Sequence, residues 1–217
     1  RDKGADIGIA YDGDGDRVLM TDSMGEIIDG DELVYIIAMH RLAMGISDGG
    51  VVGTQMSNLG LELALEEAGL QFVRAQVGDR HVKAMMEENG WLLGGESSGH
   101  IICSDVTTTG DGIIASLQVL MALQGTKGGV QALRAGITLY PQTMINITVS
   151  ERPNLEDHPE ISAAVASAER RLGKQGRVLL RPSGTEPKVR VMIEGRDHEE
   201  VALLCAELAA EVERILA

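Results

Sequence analysis

Asp12, Asp14 and Asp16 stand at alternate positions in the stretch Tyr11-Asp12-Gly13-Asp14-Gly15-Asp16-Arg17. In an extended chain, side chains two apart point the same way, so the three carboxylates can converge on one point. Like charges held that close repel one another unless a cation sits among them. Oxygen donors with no His or Cys in the stretch favour the hard ion Mg²⁺ over Zn²⁺. Gly13 and Gly15 allow positive φ and leave room for a ligand, and Arg17 adds a positive charge for an anion. An EF-hand is excluded. Counted from Asp12, its loop needs Gly at the sixth position and Glu at the twelfth, where this chain has Arg17 and Ser23. A plain Asp-Gly surface turn leaves the three charges uncompensated, so the reading that fits is a metal site beside a phosphate.

Two further stretches carry chemistry. In Gly94-Gly95-Glu96-Ser97-Ser98-Gly99-His100, Glu96 and Ser98 are two apart and can face one cleft, where a carboxylate beside a hydroxyl grips sugar hydroxyls. His100 could shuttle a proton near pH 7; the plainer reading is a Gly-Ser turn whose His merely packs. In Arg181-Pro182-Ser183-Gly184-Thr185-Glu186-Pro187-Lys188-Val189-Arg190, three basic side chains, two hydroxyls and a glycine have the composition of an anion nest. The competing reading is an ordinary hairpin turn, for which ten residues with two prolines are awkward.

The elements that must position these loops read as follows. Ile7 to Ala10 and Val18 to Met20 are strand ends meeting at the acidic loop. A helix follows from an N-cap at Asp31 to a stop at Gly45. After the break Asp48-Gly49-Gly50 come a strand 51–56, a helix 58–68, a strand 71–77, a helix 79–89 and a strand 91–94. This alternation predicts βαβ units and a parallel sheet, with ligands at the carboxyl ends of the strands. Helices 113–123 and 130–135 lead to a break at Pro141. In the last third, the strand 142–149 and the Val189, Val191 and Ile193 run each have one apolar face. The helix with Ile161, Val165 and Leu172 and the C-terminal helix, with Val201, Leu204, Cys205, Leu208, Val212 and Ile215, each have one apolar stripe. The fold class expected is therefore α/β, with mixed βαβ-type sheet domains followed by a small α+β C-terminal domain.

The 217 residues are 44% hydrophobic but only 2% aromatic, so the core must be aliphatic. A net charge of −14 argues against nucleic acid or an anionic membrane as partner. A small phosphate ligand, which needs only local positive charge, remains open. Cys103 and Cys205 lie in apolar runs and are expected to pack as small hydrophobes in a reducing, cytoplasmic compartment. No run of eighteen apolar residues spans a membrane, and no signal peptide is seen.

Taken in order, the three loops resemble those of the α-D-phosphohexomutase superfamily. Val52 to Asn58, Val77 to Arg80 and Thr107 to Gly112 are similar too. The Ser-Gly-Thr-Glu-Pro form of the last loop resembles the branch acting on glucosamine phosphates. The resemblance implies that Asp12, Asp14 and Asp16 hold Mg²⁺ with a phosphoserine oxygen. It also implies that Arg17 and His100 lie at the transferring phosphoryl group and that Glu96 and Ser98 hold the sugar. Arg181, Ser183, Gly184, Thr185 and Arg190 would then clamp the substrate's other phosphate. The implied reaction interconverts glucosamine 6-phosphate and glucosamine 1-phosphate through a bisphosphate. The implied domains are 1–47 (the end of a second domain), 48–141 (a third) and 142–217 (a fourth). The family's phosphoserine motif is absent from these residues, so the expected partners are a hexosamine phosphate and an N-terminal phosphoserine domain. A severed second domain would expose apolar sheet surface and favour association, a homodimer included. Other hexose mutases (phosphomannomutase, phosphoglucomutase) and a non-catalytic sugar-phosphate-binding module are the competing readings.

Overall fold

The computed structural model describes residues 2–46, 49–150, 153–183 and 186–216. Asp48, at the first expected domain break, and Gly184 and Thr185, in the last loop, lie outside the described residues. The chain divides into two compact units, residues 1–138 and 139–217.

In the first unit, β1 (Ile7–Tyr11) and β2 (Val18–Asp22) form an antiparallel hairpin in which Tyr11 faces Val18 across the acidic loop. A short β3 (Ile27–Ile28) extends it in the order β1-β2-β3. Val18 and Met20 are buried, whereas Ile9 and Tyr11 on the outermost strand, and Leu19 and Ile27, are exposed. Helix α1 (Gly30–Ala43) begins with a capping box. The Asp29 carboxylate accepts from the backbone N–H of Asp31 and Glu32, and the Glu32 side chain reaches back to the Asp29 N–H. Asp29, not Asp31, is thus the N-cap; Asp31 is a buried first-turn residue.

The alternation that follows builds β4 (Gly50–Thr54), α2 (Leu59–Glu67), β5 (Gln71–Ala75), α3 (Asp79–Asn89), β6 (Leu93–Gly95) and β7 (Ile101–Cys103). The sheet order is β5-β4-β6-β7. β4 runs parallel to both neighbours, and β7 returns antiparallel to β6. The parallel sheet is as expected. The third strand starts two residues later than read, because Trp91 is a core residue packed with Val52, Val82 and Met86. The return strand β7 is a run of three buried residues, too short to show a period. Helix α3 approaches β6 closely because Gly94 has no Cβ; one there would crowd Met86 Sδ and Val82 Cγ1. On the opposite face, Gly95 sits against Val34 of α1. Helices α4 (Gly112–Leu123, N-cap Asp111) and α5 (Gly129–Leu133) complete the unit.

The second unit is an antiparallel sheet of order β8-β10-β9, from β8 (Gln142–Thr148), β9 (Gly176–Pro182) and β10 (Lys188–Gly195). Helices α6 (Pro159–Leu172) and α7 (His198–Leu216) cover one face. Their stripes close with Ile147, Val189, Val191 and Ile193 into one core, as period-2 and period-3.6 patterning requires. Both cysteines are free and buried, and burial pushes the Cys103 thiol up to about 11, so it stays protonated and inert. Among the described residues, no helix is long and apolar enough to cross a membrane.

Candidate functional site

The hairpin β1–β2 delivers Asp12, Asp14 and Asp16 so that one carboxylate oxygen from each lies within 4.8 Å of the others. The loop is shaped by Asp12, whose Oδ1 accepts from the backbone N–H of Gly15 and Arg17 at 3.1 and 3.2 Å. Partial desolvation raises the Asp12 pKa. The Arg17 N–H, a hydrogen bond shared with Asp16, the Gly15 N–H and the Arg17 guanidinium outweigh it and hold the carboxyl below its ordinary range. Arg17 Nε lies 3.9 Å from Asp12 Oδ2 and 4.0 Å from Asp16 Oδ1. Asp16 Oδ1 is buried without a hydrogen-bond partner among the described residues. A cluster of hard oxygen donors with an unspent lone pair fits a small divalent cation such as Mg²⁺.

The β6–β7 turn carries Glu96, Ser98 and His100, and it is stitched directly to the acidic loop. Val18 N–H donates to the Gly99 carbonyl at 3.1 Å, Arg17 and His100 form a β-bridge, and His100 Nδ1 lies 3.1 Å from Asp16 Oδ2. Glu96 Oε1 accepts from the Gly78 N–H at 3.0 Å and Oε2 from the Ser98 hydroxyl at 3.4 Å. Glu96 and Ser98 are therefore neighbours on one side of the turn, and Ser98 is exposed. His100 is buried at 4% exposure.

Two contributors escaped the sequence reading. Gly78 holds Glu96 through its N–H at φ +125°, a conformation that side chains rarely adopt. The turn 107–112 covers the acidic loop: Gly112 N–H donates to the Gly15 carbonyl at 2.9 Å, and Gly110 lies flat against the His100 ring. Gly78, Gly110 and Gly112 all fall inside stretches that resemble the superfamily, but their spacing alone does not show what they touch.

In the second unit, Arg181 and Arg190 face each other across β9 and β10, with Asn146 beside them on the sheet face away from the helices. The loop between them is a hairpin after all, its strands in register up to Pro182 and Val189. Like charges directly opposed destabilise a sheet. Both Nε atoms are buried without hydrogen-bond partners among the described residues, and burial and Arg190 lower the Arg181 pKa. This geometry suits an anion. Lys188 contributes less charge than its position suggested, because Glu186 pairs with it at 2.8 Å and also lies 3.7 Å from Arg190. Buried Ser183 donates its N–H to the Lys188 carbonyl and accepts the Glu186 N–H.

The first unit thus carries a carboxylate-triad loop docked onto the Glu96–Ser98 turn, and the second a hairpin with paired arginines. Residues 29–140 match the family model "Phosphoglucomutase/phosphomannomutase, alpha/beta/alpha domain III", and residues 144–211 match that of the family's C-terminal domain. The chain belongs to the phosphoglucomutase/phosphomannomutase family. It is 57% identical over 210 residues to phosphoglucosamine mutase of Teredinibacter turnerae, covering 97% of this chain and 47% of that protein. It is 54% identical to that of Cellvibrio japonicus, covering 98% and 48%. The chain thus spans about half the length of the curated relatives it matches. Among solved structures, it is similar in fold to Aspergillus fumigatus N-acetylphosphoglucosamine mutase in complex with GlcNAc-6P and magnesium. The TM-score is 0.77 at 23% identity, over 96% of this chain and 49% of that one.

Proposed function

We propose that this chain supplies the metal-, sugar- and phosphate-binding part of a phosphoglucosamine mutase, which interconverts glucosamine 6-phosphate and glucosamine 1-phosphate in the cytoplasm. The observation that carries the reading is the direct attachment of the carboxylate triad to the Glu96–Ser98 turn through the Val18–Gly99 and Asp16–His100 bonds. It supports reading the triad as a cation site beside a hydroxyl-binding site, an arrangement suited to phosphoryl transfer to a sugar hydroxyl. The names of the bacterial relatives, and the GlcNAc-6P and magnesium complex of the fungal structure, support it.

In this reading Asp12, Asp14 and Asp16 hold Mg²⁺, which would neutralise charge on the transferring phosphoryl group. Arg17, exposed beside the triad, adds a cation for the phosphoryl oxygens. Glu96 and Ser98 accept from and donate to the sugar hydroxyls, and Gly78 keeps Glu96 aimed. Arg181 and Arg190, with Ser183, Gly184 and Thr185, hold the phosphate that does not react. Residues 1–47, 48–141 and 142–217 then correspond to the end of a second domain, a third and a fourth.

A phosphoglucosamine mutase assay on the intact protein, against glucose and mannose 6-phosphates, tests the assignment; preference for either hexose phosphate sinks it. Arg190→Ala removes a charged donor to phosphate, which at about 1.5–3 kcal/mol raises KM roughly 10- to 100-fold with kcat little changed. A polypeptide of these 217 residues alone carries no phosphoserine motif. With glucose 1,6-bisphosphate as activator it is expected to show no turnover, and steady turnover would refute the domain assignment.

A further inference from the structure

We propose that Asn146 is a third donor of the phosphate clamp, giving its amide N–H groups to the same anion as Arg181 and Arg190. The inference rests on the phosphate reading above. Arg190, on the central strand β10, pairs with Asn146 on β8 and with Arg181 on β9, so the three side chains form one row across the sheet. Cross-strand partners share a face and stand about 5 Å apart, close enough for a row of three to meet on one tetrahedral anion. The face is the one away from the core that α6 and α7 close over Ile147, Val189 and Val191. Val149 N–H donates to the Pro187 carbonyl at 3.0 Å, which holds β8 alongside the hairpin up to its tip.

A second row on the same face shows what such a set does. Four residues along each strand, Gln142 on β8 and Arg177 on β9 both pair with Glu194 on β10. There Gln142 Nε2 and Arg177 Nε donate to the buried Glu194 carboxylate, at 2.9 and 2.6 Å. The Asn146 row repeats the carboxamide on β8 and the arginine on β9, but its central residue is Arg190 instead of a carboxylate. The row itself supplies no negative charge to receive its donors, and Glu186 approaches Arg190 only to 3.7 Å. Among the described residues, both arginine Nε atoms are buried without partners, and the exposed Asn146 makes no side-chain hydrogen bond. A bound phosphate monoester takes the part that the Glu194 carboxylate plays in the other row, with the amide on one side and a guanidinium on the other. A carboxamide offers two N–H donors, and donation to an ionised acceptor is roughly twice as strong as between neutral groups.

The test measures KM and kcat for glucosamine 6-phosphate in the intact protein. Asn146→Ala is expected to raise KM roughly tenfold with kcat little changed. Asn146→Asp keeps the shape but adds the carboxylate that the other row has, which competes with phosphate for the arginines; KM should rise about a hundredfold or more. Asn146→Ser keeps one donor and should cost about threefold or less. Met144→Leu, two residues away on the same face and 46% exposed, should stay within about twofold. Asn146 is exposed, so none of its variants removes a core contact. An unchanged KM in Asn146→Ala or Asn146→Asp, a fall in kcat in place of the rise in KM, or an equal rise in Met144→Leu overturns the assignment of Asn146. A raised KM in Arg190→Ala would still leave the arginine clamp standing in each of these cases. An unchanged KM in Arg190→Ala overturns the clamp and Asn146 together.

Discussion

Replacing Gly99 by Ala is expected to cost the first unit at least about 3 kcal/mol and, on the proposed function, to lower kcat/KM of the intact protein a hundredfold or more. Gly99 has φ +91°, which side chains rarely adopt, and a Cβ there would overlap the Val18 carbonyl. Val18 cannot retreat readily, because it is buried and paired with Tyr11 in the hairpin. Positive-φ strain costs about 1–3 kcal/mol, and the backbone clash adds to it. The same contact is the seam between the acidic loop and the β6–β7 turn, and a displacement of about 1 Å in such a seam costs roughly 10²-fold in rate. Gly125→Ala is the control. It has φ +77°, but a Cβ added there meets nothing within 4 Å, so it should show the strain alone. Denaturant unfolding of both variants checks this, and equal losses would mean that the Val18 contact carries no weight.

The second large effect is a dependence of stability on pH centred on Asp31. Its side chain is buried at the start of α1. Burial pushes the carboxyl up to about 7 despite the hydrogen bonds from the Asn58 N–H, at 2.8 Å, and from Ser57. The Asp29 carboxylate raises it further and Arg74 opposes this. Asp29 and Glu32 are also raised, chiefly by burial, with Arg134 pulling both down. The folded state therefore binds Asp31's proton more tightly than the unfolded chain. Stability is highest below about pH 4 as far as this group is concerned, and it falls as pH rises through about 7. The gap from the ordinary 3.8 to about 7 corresponds to roughly 4 kcal/mol. Asp31→Asn keeps the acceptor for Asn58 and abolishes the ionisation. It introduces an amide whose two N–H donors must be satisfied in a buried site, a cost of about 1–3 kcal/mol. The expected result is a flatter profile between about pH 4 and 8 and a net gain of about 1–3 kcal/mol at pH 8. An unchanged slope, measured by denaturant unfolding across that range, would show that Asp31 ionises freely in the folded chain.

Much of this molecule was legible in its sequence, and the reason is periodicity. The apolar faces of Ile145, Ile147 and Val149, of Val189, Val191 and Ile193, and the stripe from Val201 to Ile215 each repeat at the period of the element they form. Burial follows directly from that match. The convergence of the alternate carboxylates was legible for the same reason, since side chains two apart share a face. Element ends were read less well: Asp31 looked like a cap, but Asp29 has Glu32 three residues on to close the box.

The tertiary structure alone decided which loops touch, because that depends on residues far apart in the chain meeting through backbone atoms and missing side chains. Gly78 aims Glu96, Gly110 covers His100, Gly112 fastens Gly15, and Glu186 takes up the charge of Lys188. Glycine has no side chain with which to signal a partner. A histidine looks the same in sequence whether its ring opens to solvent or, as here, is buried beneath a glycine with Nδ1 against a carboxylate.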